Sequence, residues 1–312
     1  MVDLRVFRYR LRTKPFPVGQ SEVRDREGLL LRCDRENGQV DWSEAAPLPG
    51  WSKETVPDVI AAIREGDFKR FPALDFAYST LTQNVSRNEK LNVPLNALLS
   101  GTVDDVLLQA EALADSPFTA VKLKVGRTEV TEDAALVTAV RNALRSDQSL
   151  RLDANRAWSL GDAVRFGRGC QSIDIEYIEE PVADPNECEA FFEQTGLPFA
   201  FDETVIEERI PNSPNLAALV VKPTLIGGVQ KIKSLRRFGV PLVFSSAFES
   251  HVGLGAIARL GSEISPGMPM GLDTHRWLLN KFLERSVVFG EGVVSVQCPF
   301  DVDESKLEEV SV

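Results

Sequence analysis

From residue 91 onward the sequence keeps one rhythm: a short apolar run, a polar turn, an amphipathic stretch, then another apolar run. The strand-like runs are NVPLNALL (92–99), AVKLKVG (120–126), LRLDANR (150–156), IEYIEEP (175–181), PFAFDET (198–204), ALVVKPT (218–224), PLVFSSAFES (241–250) and a weaker one near MPMGLDT (268–274). Helical stretches separate them. Between 129 and 145, Val130, Ala134, Val137, Val140 and Leu144 recur at spacings of three and four and form one apolar stripe. Residues 229–238 and 252–261 repeat that pattern. Strands alternating with helices build a parallel sheet. Seven or eight such units predict a (β/α) barrel over residues 91–285.

Residues 1–90 read differently. LRVFRYRLR alternates apolar and basic residues, as a half-exposed strand does, and REGLLLRCD suits its hairpin partner. WSEAAPLPGWSKET is a Pro/Gly/Trp loop with Ser52 or Thr55 as helix N-cap, and VPDVIAAIREG and PALDFAYSTLTQNV read as helices. This is an α+β module. The strand-like SVVFGEGVVSVQ and the rest of residues 286–312 are expected to return to it.

The chain's net charge of −11 and pI near 4.9 disfavour nucleic acid and anionic membrane as partners. Cys33, Cys170, Cys188 and Cys298 form no Cys-x-x-Cys, which predicts reduced thiols in the cytoplasm. The N-terminal stretch mixes charge into every few residues, so no signal peptide is expected, and no apolar run is long enough for a membrane span. With only His251 and His275, acid–base chemistry must rest on Lys, Asp and Glu.

Those residue types sit where a barrel keeps its active site, at the C-terminal ends of the strands: Lys122 and Lys124, Asp153, Glu179 and Glu180, Asp202 and Glu203, and Lys222. Lys122 and Lys124 are about 7 Å apart along one strand face. Taken alone they fit a solvated edge as well as an active site. Asp153 alone also fits a turn. Together the arrangement has a chemical logic. Carboxylates from three neighbouring strands, spaced about 4.8 Å, converge and repel unless a cation lies among them. An all-oxygen set suits Mg²⁺. Lysines flanking such a metal are placed to take a proton alpha to a substrate carboxylate, while the metal stabilises the enediolate.

The ordered set AVKLKVG, RLDANRAW, YIEEP, FDET, VVKPTLIGG and FSSAFESHVGLG resembles the enolase superfamily, in its muconate lactonizing enzyme subgroup. The likeness runs over roughly residues 90–280. It implies a (β/α)7β-type TIM barrel with an N-terminal α+β capping domain (1–90) completed by the C-terminal tail (286–312). It also implies Mg²⁺, with Mn²⁺ as an alternative, held by Asp153, Glu179 and Asp202. Glu179 is chosen over Glu180 by that likeness, since periodicity does not separate them. Lys124 corresponds to the base that takes the alpha proton and then protonates the leaving hydroxide. Lys122 corresponds to its electrostatic support, and Lys222, on the opposite face, to a fixed cation for the enediolate. Asn155 shares a strand face with Asp153 and is assigned to the metal shell or the substrate. Ser245, Ser246 and Gly271 are assigned to the far end of the substrate, although Ser245 and Ser246 equally suit a role satisfying backbone at a strand end.

RLDANRAW, KPTLIGG, SSAFES and GLDT are similar to the branch that dehydrates 2-succinyl-6-hydroxy-2,4-cyclohexadiene-1-carboxylate to an aromatic acid in menaquinone biosynthesis. The expected partner is thus a small-molecule carboxylate. A dipeptide epimerase is disfavoured, because the last strand shows GLDT and not the Asp-x-Asp that resembles that family's anchor for a substrate ammonium, and two rivals stand beside the dehydration. An N-succinylamino acid racemase of the same subgroup also needs lysines on both faces. A non-catalytic metal-binding barrel needs only the carboxylates. Glu180, Glu203 and Glu249 read as supporting residues, Arg151 as either inward-facing or salt-bridged, and His251 and His275 as structural. LIGG reads as a strand-to-helix turn with glycine at an awkward φ.

Overall fold

The computed structural model describes residues 4–18, 21–82 and 90–312. It divides into two compact units: residues 1–93, 221–237 and 244–312 form the first, and residues 94–220 and 238–243 the second.

In the first unit, β1 (Leu4–Val18) and β2 (Ser21–Asp34) form an antiparallel hairpin with Val6 opposite Leu31. β3 (Val40–Ala45) adds beside β2, and a late strand from the tail adds beside β1. Two helices cover this sheet, α1 (Val56–Arg64) and α2 (Pro72–Thr82). Gln83–Val85, expected to continue the second helix, lie outside the described residues. α1 starts where Thr55 closes a capping box with Asp58, which decides between Ser52 and Thr55. Val6, Leu29 and Leu31 of the sheet pack with Val59, Ala62, Leu74 and Ala77 of the helices as one buried cluster.

The second unit holds the barrel-type sheet. The expected strand over 92–99 splits into β4 (Leu91–Pro94) and β5 (Asn96–Leu99). Only β5 enters the large sheet; β4 pairs with tail strands instead. After β5 the units follow in turn: α3 (Val103–Leu113), β6 (Ala120–Lys124), α4 (Val130–Ala143), β7 (Ser149–Asp153), α5 (Leu160–Gly169), β8 (Tyr177–Glu179), α6 (Cys188–Thr195), β9 (Phe199–Phe201), α7 (Glu203–Ile206) and β10 (Leu216–Val221). β5 to β10 pair in parallel, each with its sequence neighbour, and β11 (Leu242–Phe244) completes seven strands beside β10. The strands are shorter than the apolar runs suggest: β6, β7 and β8 end on Lys124, Asp153 and Glu179.

Back in the first unit, α8 (Pro223–Ile226) packs on α2, followed by α9 (Val229–Ser234). Gly227 between them has φ 114°, so the glycine of LIGG is required by backbone geometry. Gly228 donates its N–H to Asp75, so close that a Cβ there would lie 2.6 Å from the carboxylate. α10 (His251–Ile264) is the longest helix here. β12 (Val287–Gly290) and β13 (Val293–Val296) join β4, and β14 (Glu308–Val310) is the tail strand beside β1. The weak strand expected at 268–274 shrinks to an isolated parallel bridge, Ser245 with Gly271. It contains glycine, proline and aspartate, which are depleted in strands.

Candidate active site

Strand register places the charged residues in rows. Lys124 lies opposite Asp153, and Asp153 opposite Glu179. Glu179 lies opposite Ala200, and Asp202 follows two residues on, on the same strand face. One residue pair lower, Lys122, Arg151 and Tyr177 form a second row. Val121, Leu123 and Val125 alternate with the lysines and are buried on the other face. Period two thus delivers every one of these charges to one side of one sheet end.

Asp153, Glu179 and Asp202 are each at most 2% exposed. Lys122 reaches up from the lower row, its Nζ 2.5 Å from Glu179 Oε2 and 3.0 Å from Asp153 Oδ2. Lys124 Nζ stands 3.9 Å from Asp153 Oδ2 and donates to Asn155 Oδ1 at 3.1 Å. Burial pushes the Glu179 carboxyl up to about 7, and the charges of Asp153 and Asp202 add to the rise while Lys122 opposes it. Burial works against the Lys122 ammonium, yet the three carboxylates hold its pKa well above the usual lysine value.

The next residue along behaves oppositely. Glu180 is fully buried and has φ 44°. Its Oε1 accepts the backbone N–H of Asp202 (2.9 Å) and of Thr204 (2.8 Å). Its Oε2 accepts the Thr204 hydroxyl (3.0 Å) and Arg156 Nε (2.9 Å). Glu180 thus ties together the ends of three strands. Asn155 (φ 44°) and Arg156 (φ 61°) also adopt the left-handed conformation, uncommon for residues with a side chain. The turn lets Asn155 donate to Glu203 while accepting from Lys124. The role of Arg156 is invisible in the sequence, where Asn-Arg after Asp-Ala reads as an ordinary loop. Arg151, buried in the lower row, is ion-paired to Glu176 at 2.8 Å.

The remaining site candidates belong to the first unit. Lys222 follows the last residue of β10 and caps α8. Its Nζ lies 5.2 Å above the ring of Trp51, a contact with no signal in the sequence. Ser245 Oγ donates to the Gly271 carbonyl (3.4 Å), and Ser246 Oγ lies 2.6 Å from the Thr274 hydroxyl. These three residues are therefore brought together. His251 and His275 pack against Phe289.

Among the described residues, no group of three His, Cys, Asp or Glu closes tightly enough around one point to ligate a metal as it stands. The cation beside Asp153 and Glu179 is the Lys122 ammonium. An all-carboxylate set that already gathers a positive charge has the chemistry of a hard divalent cation site.

Residues 105–297 match the family profile described as enolase C-terminal domain-like. The chain belongs to the enolase superfamily, and it is an enzyme of the carbon–oxygen lyase class. It is 32% identical over 302 residues to an o-succinylbenzoate synthase of Edwardsiella ictaluri, covering 88% of this chain and 90% of that one. The o-succinylbenzoate synthase of Thermosynechococcus elongatus, solved with Mg in its active site, superposes with a TM-score of 0.74 at 27% identity, over 88% of this chain and 93% of that one. The L-Ala-D/L-Glu epimerase of Bacillus subtilis gives a TM-score of 0.77 at 18% identity, over 100% and 99%, a likeness of fold.

Proposed function

We propose that the chain catalyses the Mg²⁺-dependent syn dehydration of 2-succinyl-6-hydroxy-2,4-cyclohexadiene-1-carboxylate to o-succinylbenzoate, as a step of menaquinone biosynthesis in the cytoplasm. The observation that carries this is the row Lys124–Asp153–Glu179 at one end of the parallel sheet, where two buried carboxylates share the Lys122 ammonium and a third, Asp202, is buried close enough to act on Glu179. The names of the relatives agree with it.

In this reading Asp153, Glu179 and Asp202 would hold Mg²⁺ or Mn²⁺, which supplies Lewis-acid stabilisation at the substrate carboxylate. Glu180, already engaged by four donors, is not available as a ligand. Lys124, oriented by Asn155, takes the alpha proton on its Nζ. The electron pair left behind expels the hydroxyl from the neighbouring ring carbon on the same face. Lys124 returns its proton to that oxygen, which leaves as water, and the ring becomes aromatic. With Asp153 and Glu179 engaged in holding such a cation, Lys122 would be available to the substrate carboxylate and would support Lys124 electrostatically. Lys222 offsets the enediolate charge. Ser245, Ser246 and Gly271 hold the succinyl end. In the expected division into a cap (1–90 with 286–312) and a barrel (91–285), all of these residues fall in the barrel.

The test is loss of the cyclohexadiene absorbance with Mg²⁺ present. Wild-type enzyme turns over, and Lys124→Ala loses about 10³-fold in kcat with its fold intact. Turnover without metal, or full activity in Lys124→Ala, would sink the mechanism. One observation favours a second activity, racemisation of N-succinyl amino acids: lysines end β6 and directly follow β10, as two-base chemistry needs. A higher kcat/KM for that reaction would make it the principal one.

A further inference from the structure

Trp51 holds an indole ring 36% exposed to solvent on the loop between β3 and α1. The loop is built to hold it there. Trp51 N–H and Ser52 N–H both donate to the Leu48 carbonyl (3.0 and 2.8 Å), and Ser52 Oγ accepts from Leu48 N–H (2.9 Å). Gly50 supplies the left-handed residue (φ 85°) that this tight turn requires. The fully buried Arg26 anchors the base of the loop, donating to the carbonyls of Ala46 and Pro47 at 3.0 and 2.9 Å. Lys222 is fixed at the other end. Its carbonyl accepts from Leu225 and Ile226 at the start of α8, and α8 is packed on α2. Between two anchored backbones, the Lys222 ammonium lies 5.2 Å from the centre of the Trp51 ring.

We propose that Trp51 is the positioning residue for Lys222, holding its ammonium in place through the face of the indole; this rests on the reading of Lys222 as the fixed cation of the dehydration. A lysine has four rotatable bonds, and a countercharge helps an enediolate only if it is already in place when the charge forms. The negative face of an aromatic ring attracts a cation without carrying a net charge. A carboxylate in the same position would hold the lysine too, but would cancel the field that the reaction uses. An indole orients the ammonium without adding a countercharge of its own.

The test uses the full-length Mg²⁺-loaded enzyme with Trp51→Leu, which keeps an apolar side chain without a π face, and Trp51→Phe, which keeps a smaller face. Limited acetylation by an amine-reactive ester, read by peptide mass spectrometry, compares Lys222 with the exposed Lys53 as internal standard. Trp51→Leu is expected to raise the Lys222/Lys53 labelling ratio by about fivefold and lower kcat by about tenfold, with KM changed less than twofold. Trp51→Phe is expected to restore most of both. Equal labelling in all three proteins would overturn the proposal. Increased labelling with unchanged kcat would overturn the catalytic half of it. If the dehydration reading itself is wrong, wild-type enzyme shows no turnover while the labelling contrast persists, so the two failures are distinct.

Discussion

Two sets of buried carboxylates in this molecule face opposite circumstances. In the first unit, Glu44 of β3 is 2% exposed and accepts from Tyr9 Oη (2.5 Å), Ser250 N–H (2.8 Å), Gly253 N–H (2.7 Å) and the Ser250 hydroxyl. It caps the N-terminus of α10 from a different element, and neutral donors and the helix dipole absorb its charge. In the second unit, Asp153, Glu179 and Asp202 are buried as deeply but gather beside one another, and their charge is met by lysine side chains. The first set is a finished structural joint. The second keeps mutual repulsion in the fold, which adds to the burial that raises the Glu179 carboxyl, and a multivalent cation is the direct way to relieve it. Glu179 and Glu180 repeat the contrast within two adjacent residues.

The contrast can be broken at either end. Glu44→Ala leaves four donors around an empty space and is expected to cost about 3–5 kcal/mol in urea unfolding, since a buried hydrogen-bonded charge is lost. A cost under about 1 kcal/mol would show that the joint is not structural. Mg²⁺ at a hundredfold excess over its Kd should raise wild-type stability by about 2.7 kcal/mol. Glu179→Gln removes one repelling charge together with one ion pair, so without metal its stability should stay within about 1 kcal/mol of wild type, and the Mg²⁺-induced gain should vanish. A Glu179→Gln protein that still gains the full increment would remove Glu179 from the metal set.

A third kind of buried ionisable group sharpens the comparison. Burial lowers the His251 and His275 imidazoles to about 4, with the His275 charge adding to the effect on His251. Unfolded imidazoles titrate near the usual 6.5, so between these values the unfolded chain binds more protons. The stabilisation is therefore present above about pH 6.5 and lost as pH falls toward 4. Each histidine should account for about 2 kcal/mol of the loss between pH 7 and 4.5. Denaturant midpoints for His251→Gln and His275→Gln across that range should show a shallower slope. The smallest effect belongs to the local counterpart of the Glu44 cap. Thr55→Ala, which opens the capping box of α1, should cost about 1 kcal/mol by thermal unfolding. If it costs as much as Glu44→Ala, capping across elements has no advantage over capping within one.

Legibility followed the range of the interaction. Periodicity located β6 and β7 because period two along a strand forces Lys122 and Lys124, or Arg151 and Asp153, onto one face whatever the rest of the chain does. It did not choose between Glu179 and Glu180, since β8 is three residues long and the backbone turns left-handed just after it. It overestimated the run at 268–274, where side-chain pattern without a partner strand yields only a bridge. It joined β4 to β5, because an apolar run does not say which sheet it enters.

The sequence by itself determined the alternation of strands and helices and the order of the charged strand ends, because each depends on residues a few positions apart. Only the tertiary structure decided which carboxylates are saturated by donors and which are crowded together. It alone set Glu44 at the start of α10, 206 positions before Ser250, and Trp51 over Lys222. Those contacts join residues far apart along the chain, and no local preference of either partner records the other.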